Sequence, residues 1–374
     1  MTTKSRGLEG VIAAETSIGD VQGEQGILHY CGYDINELAG KATYEEVVYL
    51  LWNESLPTRH ELEKLTTALR AERELPQGII DYITSAPRNA APIDVMRTAV
   101  SMLGCYDTQR YDLDMDANRA HAIKLVAQVG IIAAYFHRAR QGLPLPPIRK
   151  DLGEAAHFLY LLTGETPSAE AARTLDVAYV LHAEHGFNAS TFTARVVAST
   201  LSDIYSAVSA AIGALKGPLH GGANEGVIHM LKEIGTLENV DLWIENALAQ
   251  KKKIMGIGHR VYKVLDPRAP HLKAMATELC KKLGEPKWIQ MSERIAQIMK
   301  EKKNLNANVD FYSATVYYSL GIPTDLFTPI FAIARTAGWT AHILEQYANN
   351  RLFRPLSEYT GRPYGRTFVP IDQR

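Results

Sequence analysis

The chain has 374 residues, 46% of them hydrophobic, and its 40 lysines and arginines nearly balance 41 aspartates and glutamates. This is the composition of a globular protein large enough for two domains, and the net charge of -1 excludes a surface that as a whole attracts nucleic acid or anionic lipid. The three cysteines are far apart and form no C-x-x-C pair, which favours a reducing compartment and argues against zinc. Cys105 lies in an apolar run and is expected to be a buried small side chain.

The N-terminal residues carry two basic side chains but no apolar segment of the signal-peptide type. No run of 18 or more apolar residues follows. We therefore expect a cytoplasmic protein that does not span a membrane.

The predicted elements begin with one or two small β-hairpins in the glycine-punctuated residues 9–33. Capping boxes at Thr43 and Thr58 then start two helices, because Thr satisfies the first free amides and a Glu reaches back. Apolar periodicity and Gly or Pro punctuation predict further helices over residues 91–104, 116–142, 151–164, 168–182, 190–217, 223–234, 241–251, 271–283, 286–300, 309–321 and 328–348. The tail from Asn349 is rich in Arg, broken by Pro and expected to be extended.

Two features of this pattern concern domain organisation. Segment 190–217, rich in Ala, Ser and Thr, is predicted as one helix that neighbours approach closely, in a packed interior or at a subunit interface. Between residues 221 and 303 the helices become shorter and more charged. The sequence predicts an all-α, two-domain fold with a small N-terminal β-hairpin region, a large discontinuous domain at 1–220 and 322–374, and a small domain at 221–321. A cleft between two such lobes is a common place for ligands.

The stretch 256–268, Gly-Ile-Gly-His-Arg-Val-Tyr-Lys-Val-Leu-Asp-Pro-Arg, holds the first candidates for chemistry. His259 is a proton donor on a glycine turn where backbone can approach a ligand, and Arg268 offers a guanidinium. The G-x-G of this stretch is weak support for a dinucleotide loop, since no preceding strand or later glycine completes that pattern.

Two further clusters set ionisable groups beside small residues. His220 precedes Gly-Gly-Ala-Asn, where free amides at a helix start can orient a neutral imidazole that donates to an enolate-like oxygen; a helix-end histidine bonded to a carbonyl is the alternative. Asp310 follows Asn308, and this pattern is also typical of a simple helix cap.

Arg335, in an apolar helix, needs an anionic partner, which can be a ligand or an internal carboxylate. Arg354, before a proline in the tail, suits a surface position on local grounds.

His182 and His185 are three residues apart and would share a face if both were helical, which leaves a metal site open. No His-Glu-x-x-His motif supports it. We expect no metal, and keep a metal-dependent hydrolase built on these two histidines with His220 and His259 as a remote alternative.

Taken in order, these clusters resemble the citrate synthase family over nearly the whole chain. The matching pieces are residues 15–18, 32–35, 182–185, 217–224, 256–268, 308–310 and 354–355. Segments 191–226 and 326–347 look most like the dimeric citrate synthases of Gram-positive bacteria. The resemblance implies an almost entirely helical homodimer whose small domain closes over acetyl-CoA and oxaloacetate, with no permanently bound cofactor.

The resemblance also implies roles for individual residues. His220 matches the donor to the acetyl-CoA carbonyl, Asp310 the base that removes a methyl proton, and His259 the group that polarises the oxaloacetate ketone. The oxaloacetate carboxylate ligands are matched by His185, Arg268, Arg335 and Arg354, the last reaching in from the partner subunit. The segment that lies against CoA is matched by Lys252, Lys253, Ile254, Met255 and Gly256.

Two positions depart from the family pattern. Ile257 stands where relatives often have an aromatic or small residue, which affects packing near CoA, and Cys31 stands where many bacterial relatives have Arg. The resemblance leaves citrate formation as the leading hypothesis and 2-methylcitrate formation from propionyl-CoA as the nearest alternative, since one methylene in a pocket changes binding by only about 1–3 kcal/mol. A non-catalytic helical scaffold is disfavoured because it has no use for buried arginines.

Overall fold

A computed structural model describes residues 6–362 and 364–374 of the protein, and helices dominate that part of the chain. Its sixteen α-helices are Ile35–Leu38 (α1), Tyr44–Asn53 (α2), Arg59–Ala71 (α3), Gln77–Ser85 (α4), Pro92–Tyr106 (α5), Met115–Arg140 (α6), Glu154–Thr163 (α7), Ala169–His182 (α8), Ala189–Ala198 (α9), Ile204–Leu215 (α10), Ala223–Ile234 (α11), Val240–Ala249 (α12), Ala269–Lys282 (α13), Lys287–Lys303 (α14), Val309–Ser319 (α15) and Phe327–Ala348 (α16). Short 3-10 turns cover Arg6–Leu8, Leu237–Asn239, Thr324–Leu326 and Ile371–Gln373. The prediction of an all-α fold is confirmed.

The predicted N-terminal hairpin region is a three-stranded antiparallel sheet. Its strands are Gly19–Gln22 (β1), Ile27–Tyr30 (β2) and Tyr33–Asp34 (β3), in the order β1-β2-β3. Gly19 is paired with Tyr30, and His29 with Asp34. The Tyr30 hydroxyl donates to the carbonyl of Val180 at 3.0 Å, which fixes the sheet against the end of α8.

Local sequence explains where several helices begin. Thr43 and Thr58 each form the predicted capping box, with Glu46 and Glu61 respectively. Asn308 accepts from the Asp310 amide at the start of α15. These side chains satisfy amides that have no partner inside the helix.

Helix α16 forms the centre of the core. It packs against α2, α6, α8, α9 and α10, and nearly all of its residues are buried, so it is enclosed on every side. Arg335 is the buried charged residue of this helix. The other end of the molecule is different, because α11 to α15 pack mainly on one another and meet α16 through α11.

The predicted helix over 190–217 is wrong as a single element, since α9 ends at Ala198 and α10 begins at Ile204. Leu201 has a φ of +60°, which breaks the helix, and the Asp203 carboxylate caps the amide of Ser206 to start the next one. The Ser-Asp pair before Ile204 was the sequence signal that could have predicted this new helix start. The expectation for Cys105 is also wrong, because its side chain is exposed at the end of α5.

Helix α6 is long and apolar enough to cross a membrane by length and composition. However, 78% of its most apolar window is buried inside the protein. It packs against α16, α5 and α7, as a core helix does.

Gly338 lets α16 approach the loop that follows α8. Its amide donates to the Ala183 carbonyl at 3.1 Å, and a Cβ here would lie 2.3 Å from that oxygen and 2.6 Å from Glu184 Oε2. We expect Gly338→Ala to lower the free energy of unfolding by about 1–3 kcal/mol or more, because backbone rather than a flexible side chain blocks the methyl group. Urea denaturation measures the loss.

The matched control is Gly130→Ala in α6. A Cβ there meets Ile333 and Phe158 at 3.7 Å, which is ordinary contact. Alanine also favours a helix over glycine by up to ~1 kcal/mol, so this variant should be as stable as the wild type or more so. Equal losses in the two variants would contradict the steric explanation.

Candidate active site

The glycine turn that carries His259 is paired with the segment that precedes α15. The Gly258 amide donates to the Asn306 carbonyl at 2.7 Å, and the Asn308 amide donates to the Gly256 carbonyl at 3.0 Å. Gly256 has a φ of +74°, and a Cβ on it would lie 2.8 Å from the ring of Phe311. Glycine is therefore required, and the two segments form one unit.

Asn308 ties this unit together with its side chain. Its Nδ2 donates to the Gly258 carbonyl at 2.8 Å, while its Oδ1 accepts from the Asp310 amide at 3.0 Å. The residues on either side of His259 and Asp310 are thus joined through one amide group. The predicted cap and the functional interpretation of this motif are both compatible with that arrangement.

The proton position on His259 follows from its hydrogen bonds. Nδ1 accepts from the amides of Val261 and Tyr262, each at 3.0 Å. Burial, with Arg268 nearby, lowers the pKa of His259 to about 4, so the ring is neutral. Its one proton therefore lies on Nε2, which is a hydrogen-bond donor.

Arg268 is buried and forms a two-pronged ion pair with Asp266. Nε donates to Oδ1 at 3.0 Å and Nη2 donates to Oδ2 at 2.8 Å. Oδ2 also accepts from the Val309 amide at 3.1 Å, in the first turn of α15. Asp266 therefore holds the guanidinium and the start of α15 in one place, and the pair leaves Nη1 for a ligand.

Asp310 lies in that first turn, and its Oδ1 is buried without a hydrogen-bond partner among the described residues. Burial raises its pKa to about 7, and Asp266 adds to the rise, whereas Arg268, Arg335 and Lys253 oppose it. A carboxyl group of this kind is half ionised near neutral pH and can remove a proton.

His220 follows α10 and is held by the start of α9. Its Nε2 lies 2.9 Å from Ser190 Oγ and accepts from the Ser190 amide at 3.4 Å. Ser190 Oγ in turn accepts from Trp339 Nε1 at 3.1 Å, in α16. Burial and the charge of Arg335 lower the pKa of His220 to about 4. The Ser190 hydroxyl has one proton and also lies 2.8 Å from Asn188 Oδ1, so either nitrogen of the neutral His220 ring can carry its proton, and Nδ1 has no partner within residues 6–362 and 364–374.

His185 and His182 do not share a helix face, because α8 ends at His182. The His182 ring is fully buried, with Nδ1 2.8 Å from the Ala178 carbonyl oxygen. His185 faces the turn instead, with its ring centroid 5.5 Å from that of His259 and its Nε2 3.1 Å from the Tyr262 hydroxyl. Burial lowers the pKa of His185 well below its ordinary value, and Arg268 adds to the effect.

Arg335 approaches the same region from α16. Its Nε donates to the His182 carbonyl at 2.6 Å, while Nη1 is buried without a partner among the described residues. Burial lowers the pKa of Arg335 to about 10, and the negative charge of Glu184 opposes this effect. The orphan Nη1 is the kind of group that an anionic ligand satisfies.

Segment 252–256 runs beside the start of α11. Lys252 is exposed, pairs with Glu233 at 3.2 Å and lies over the Trp243 ring, whereas Lys253 is exposed near Asp310. Ile254 is buried, and Met255 packs so closely on Gly226 that a Cβ on that glycine would lie 2.7 Å from the Met255 methyl. Of the two lysines, Lys253 is the one without a carboxylate pair among the described residues.

Arg354 lies apart from the other candidates. It is exposed in the irregular tail and lines a cavity of about 690 Å³ between residues 8–15, α9 and the end of α16. The structure brings His185, His220, His259, Arg268, Asp310 and Arg335 into one region, and within a single chain it does not bring Arg354 there.

Sequence reasoning missed several residues of this region. Asp266 was visible in the Asp-Pro-Arg triplet, but its contact with Val309 crosses 43 positions of sequence. Glu184 and Tyr262 lie inside the motifs 182–185 and 256–268, but the sequence pattern predicted no contact for either side chain. Ser190 was noted only as one of many small residues.

No group of three or more His, Cys, Asp or Glu side chains that could hold a metal occurs in the described part of the chain. Within the described residues, the four histidines of the hydrolase alternative are therefore not grouped as metal ligands.

The fold and the site together define a class of protein. It is a helical enzyme in which neutral imidazoles and buried guanidinium groups lie around a carboxyl group of raised pKa. The family profile described as "Citrate synthase, C-terminal domain" matches residues 7–356. "Citrate synthase 2" of Bacillus subtilis (strain 168) is 53% identical over 374 residues, which are 100% of both chains. The chain belongs to the citrate synthase family and is an enzyme that transfers an acyl group.

Two further matches show the range of the similarity. "2-methylcitrate synthase 2" of Corynebacterium glutamicum is 44% identical over 100% of this chain and 98% of its own. A citrate synthase of the thermophilic archaeon Thermoplasma acidophilum, solved as a ternary complex with carboxymethyl coenzyme A and oxaloacetate, is 33% identical with a TM-score of 0.92 over 100% of both chains.

If Asp310 is the base that the sequence predicts, its raised pKa determines how activity depends on pH. We expect kcat/KM to rise roughly tenfold between pH 6 and pH 8 and then level off, because a base with a pKa of about 7 ionises over that interval. His220 and His259 have pKa values of about 4 and stay neutral throughout. Initial rates at subsaturating thioester test this, and a flat profile would contradict it.

Asp310 also predicts a change in stability. Its pKa is raised in the folded protein, so the folded state holds a proton that the unfolded state has lost between about pH 4 and pH 7, and stability falls as the pH rises through that window. We expect Asp310→Asn to remove a penalty of roughly 2–4 kcal/mol at pH 8 and to leave stability at pH 4 nearly unchanged. Urea denaturation at the two pH values measures the difference, and a gain of equal size at both would exclude ionisation as its cause.

Proposed function

We propose that the protein forms citrate by condensing acetyl-CoA with oxaloacetate and hydrolysing citryl-CoA. The observation that carries the proposal is the Asp310 carboxyl, whose Oδ1 is buried and whose pKa lies near 7, in one region with the neutral rings of His220 and His259, each of which has a ring nitrogen without a partner among the described residues. An unactivated thioester yields a carbon nucleophile only if a base and a hydrogen-bond donor act together, because neither alone stabilises the enolate enough.

In the proposed first step, Asp310 takes a proton from the methyl group of acetyl-CoA while His220 Nδ1–H donates to the thioester oxygen. The methylene carbon of the resulting enolate attacks the ketone carbon of oxaloacetate. His259 Nε2–H stabilises the alkoxide that develops on the ketone oxygen, and this oxygen becomes the hydroxyl group of citryl-CoA by a proton gain that balances the proton Asp310 removed from the methyl group. Water then cleaves the thioester bond of citryl-CoA, which gives citrate and CoA with a free thiol.

Oxaloacetate is a dianion, and the proposed ligands for its carboxylates are Arg268, Arg335 and His185. Asp266 already holds two nitrogens of Arg268, which limits the freedom of that side chain before the substrate arrives. The buried, unpaired Nη1 of Arg335 offers the second planar donor.

Arg354 of a second copy completes this set in our proposal. Its exposure in the tail suits a group that reaches into another subunit, and a homodimer with one such arginine per site follows. A cytoplasmic location agrees with three free cysteines.

The proposed domain division places residues 221–321 in a small domain that closes on the large one. It is supported by the packing of α11 to α15 mainly on one another. In the proposal, residues 252–256 lie against CoA, with Lys253 facing its phosphates, and closure excludes water until condensation is complete.

The direct test is release of free CoA from acetyl-CoA, followed with a thiol reagent, in the presence and absence of oxaloacetate. Asp310→Ala should lower kcat by at least ~10², the usual contribution of a general base. Normal turnover by that variant would exclude Asp310 as the base.

The second candidate is 2-methylcitrate formation from propionyl-CoA, which the 44% identity to a 2-methylcitrate synthase supports. We expect a higher kcat/KM for acetyl-CoA than for propionyl-CoA, since the 53% identical relative is a citrate synthase. Steady-state kinetics with both thioesters measure the ratio, and a preference for propionyl-CoA would reverse the choice.

The proposed position of Arg354 is tested by mixing two inactive variants, Arg354→Ala and Asp310→Ala, under conditions that exchange subunits. If Arg354 acts in the partner's site, each mixed dimer has one complete site. Half of a random mixture is mixed dimer, so about a quarter of wild-type activity should return. If Arg354 acts within its own chain, no activity returns, and co-purification of one variant with an affinity-tagged copy of the other verifies that subunits have exchanged.

A further inference from the structure

Tyr262 lies between the two histidines at the keto-acid end of the candidate site. Its ring centroid is 4.7 Å from that of His259 and 5.4 Å from that of His185, and only 3% of the residue is exposed. It follows His259 by three positions on the glycine turn. None of the roles proposed above uses its side chain.

The hydroxyl group of Tyr262 has one hydrogen-bond partner among the described residues, which is Nε2 of His185 at 3.1 Å. Either the phenol donates to the ring nitrogen or the ring nitrogen donates to the phenol. In the second case the buried phenolic proton has no acceptor, and this is costly. Counting donors and acceptors therefore favours a phenol that donates to an unprotonated Nε2.

The consequence for His185 is a fixed tautomer. Its ring is neutral because burial and the charge of Arg268 lower its pKa. A neutral imidazole whose Nε2 accepts carries its proton on Nδ1, and Nδ1 has no partner within the described residues. His185 then presents an N–H, which is what a carboxylate ligand requires.

The backbone of the same residue acts on the other histidine. The Tyr262 amide is one of the two that donate to His259 Nδ1, at 3.0 Å, and so hold the proton of that ring on Nε2. We propose that Tyr262 is a positioning residue that sets the tautomers of both His185 and His259, so that each presents an N–H donor to the keto-acid substrate. This inference rests on the proposed function for the identity of the substrate, but not for the tautomers.

The first experiment measures the tautomers without any substrate. In protein labelled with ¹⁵N only in its histidine rings, long-range ¹H–¹⁵N correlation distinguishes protonated from unprotonated ring nitrogens. The signals of His185 are those that vanish in His185→Gln. We expect Nδ1 to be protonated in the wild type and the proton to be shared with Nε2 in Tyr262→Phe. A proton on Nε2 in the wild type, or the same tautomer in both proteins, would overturn the proposal.

The second experiment separates binding from chemistry. Tyr262→Phe keeps the ring and the backbone amide, so the contact with His259 survives and only the phenol contact is lost. We expect the KM for oxaloacetate to rise roughly three- to tenfold, the effect of one hydrogen bond, with kcat and the KM for acetyl-CoA within about twofold. An unchanged or lower KM for oxaloacetate, or a loss confined to kcat, contradicts the proposed role.

The matched control is Tyr135→Phe in α6. Tyr135 is also buried, and its hydroxyl donates one hydrogen bond, to the Pro146 carbonyl at 2.8 Å, away from the site. Tyr135→Phe should leave the kinetic constants and the His185 signals unchanged. If wild-type protein releases no CoA, the proposed function fails, whereas the tautomer measurement still decides the role of Tyr262.

Discussion

The buried carboxylate of Asp266 is the constraint on which the site depends. It holds Arg268 with both oxygens and accepts from the amide of Val309, so Arg268 and the helix that carries Asp310 share one anchor. A buried ion pair is expensive to desolvate and is retained where fixed geometry matters. Here it also raises the pKa of Asp310, because a second negative charge nearby disfavours ionisation.

The same region illustrates how neutral histidines become donors. All three lie in surroundings that lower their pKa, through burial first and arginine charge second. Each is then oriented by a group that occupies the other ring nitrogen: two amides for His259, the start of α9 for His220 and a phenol for His185. Neutral donors stabilise developing negative charge without giving up a proton too early.

The helical pattern was largely predictable from the sequence, because apolar periodicity and capping boxes such as that at Thr43 are local signals. His220, His259 and Asp310 could be selected because each stood beside glycine or small residues. The break at Leu201 was missed because one left-handed residue leaves the apolar pattern intact. Partners such as Asp266 for Val309, and Glu345 for Arg195 across 150 positions, depend on the folded path of the chain, which periodicity does not reveal.

The position of α16 at the centre of the core also has a consequence for biosynthesis. This helix leaves the ribosome after α2, α6, α8, α9 and α10, yet all five pack on it. Those earlier helices must wait with apolar faces exposed, whereas α11 to α15 find most of their partners among themselves. Helices α11 to α15 can therefore pack together as soon as they have been synthesised. The helices that pack on α16 must wait for it, and they are the part that needs protection from aggregation during translation.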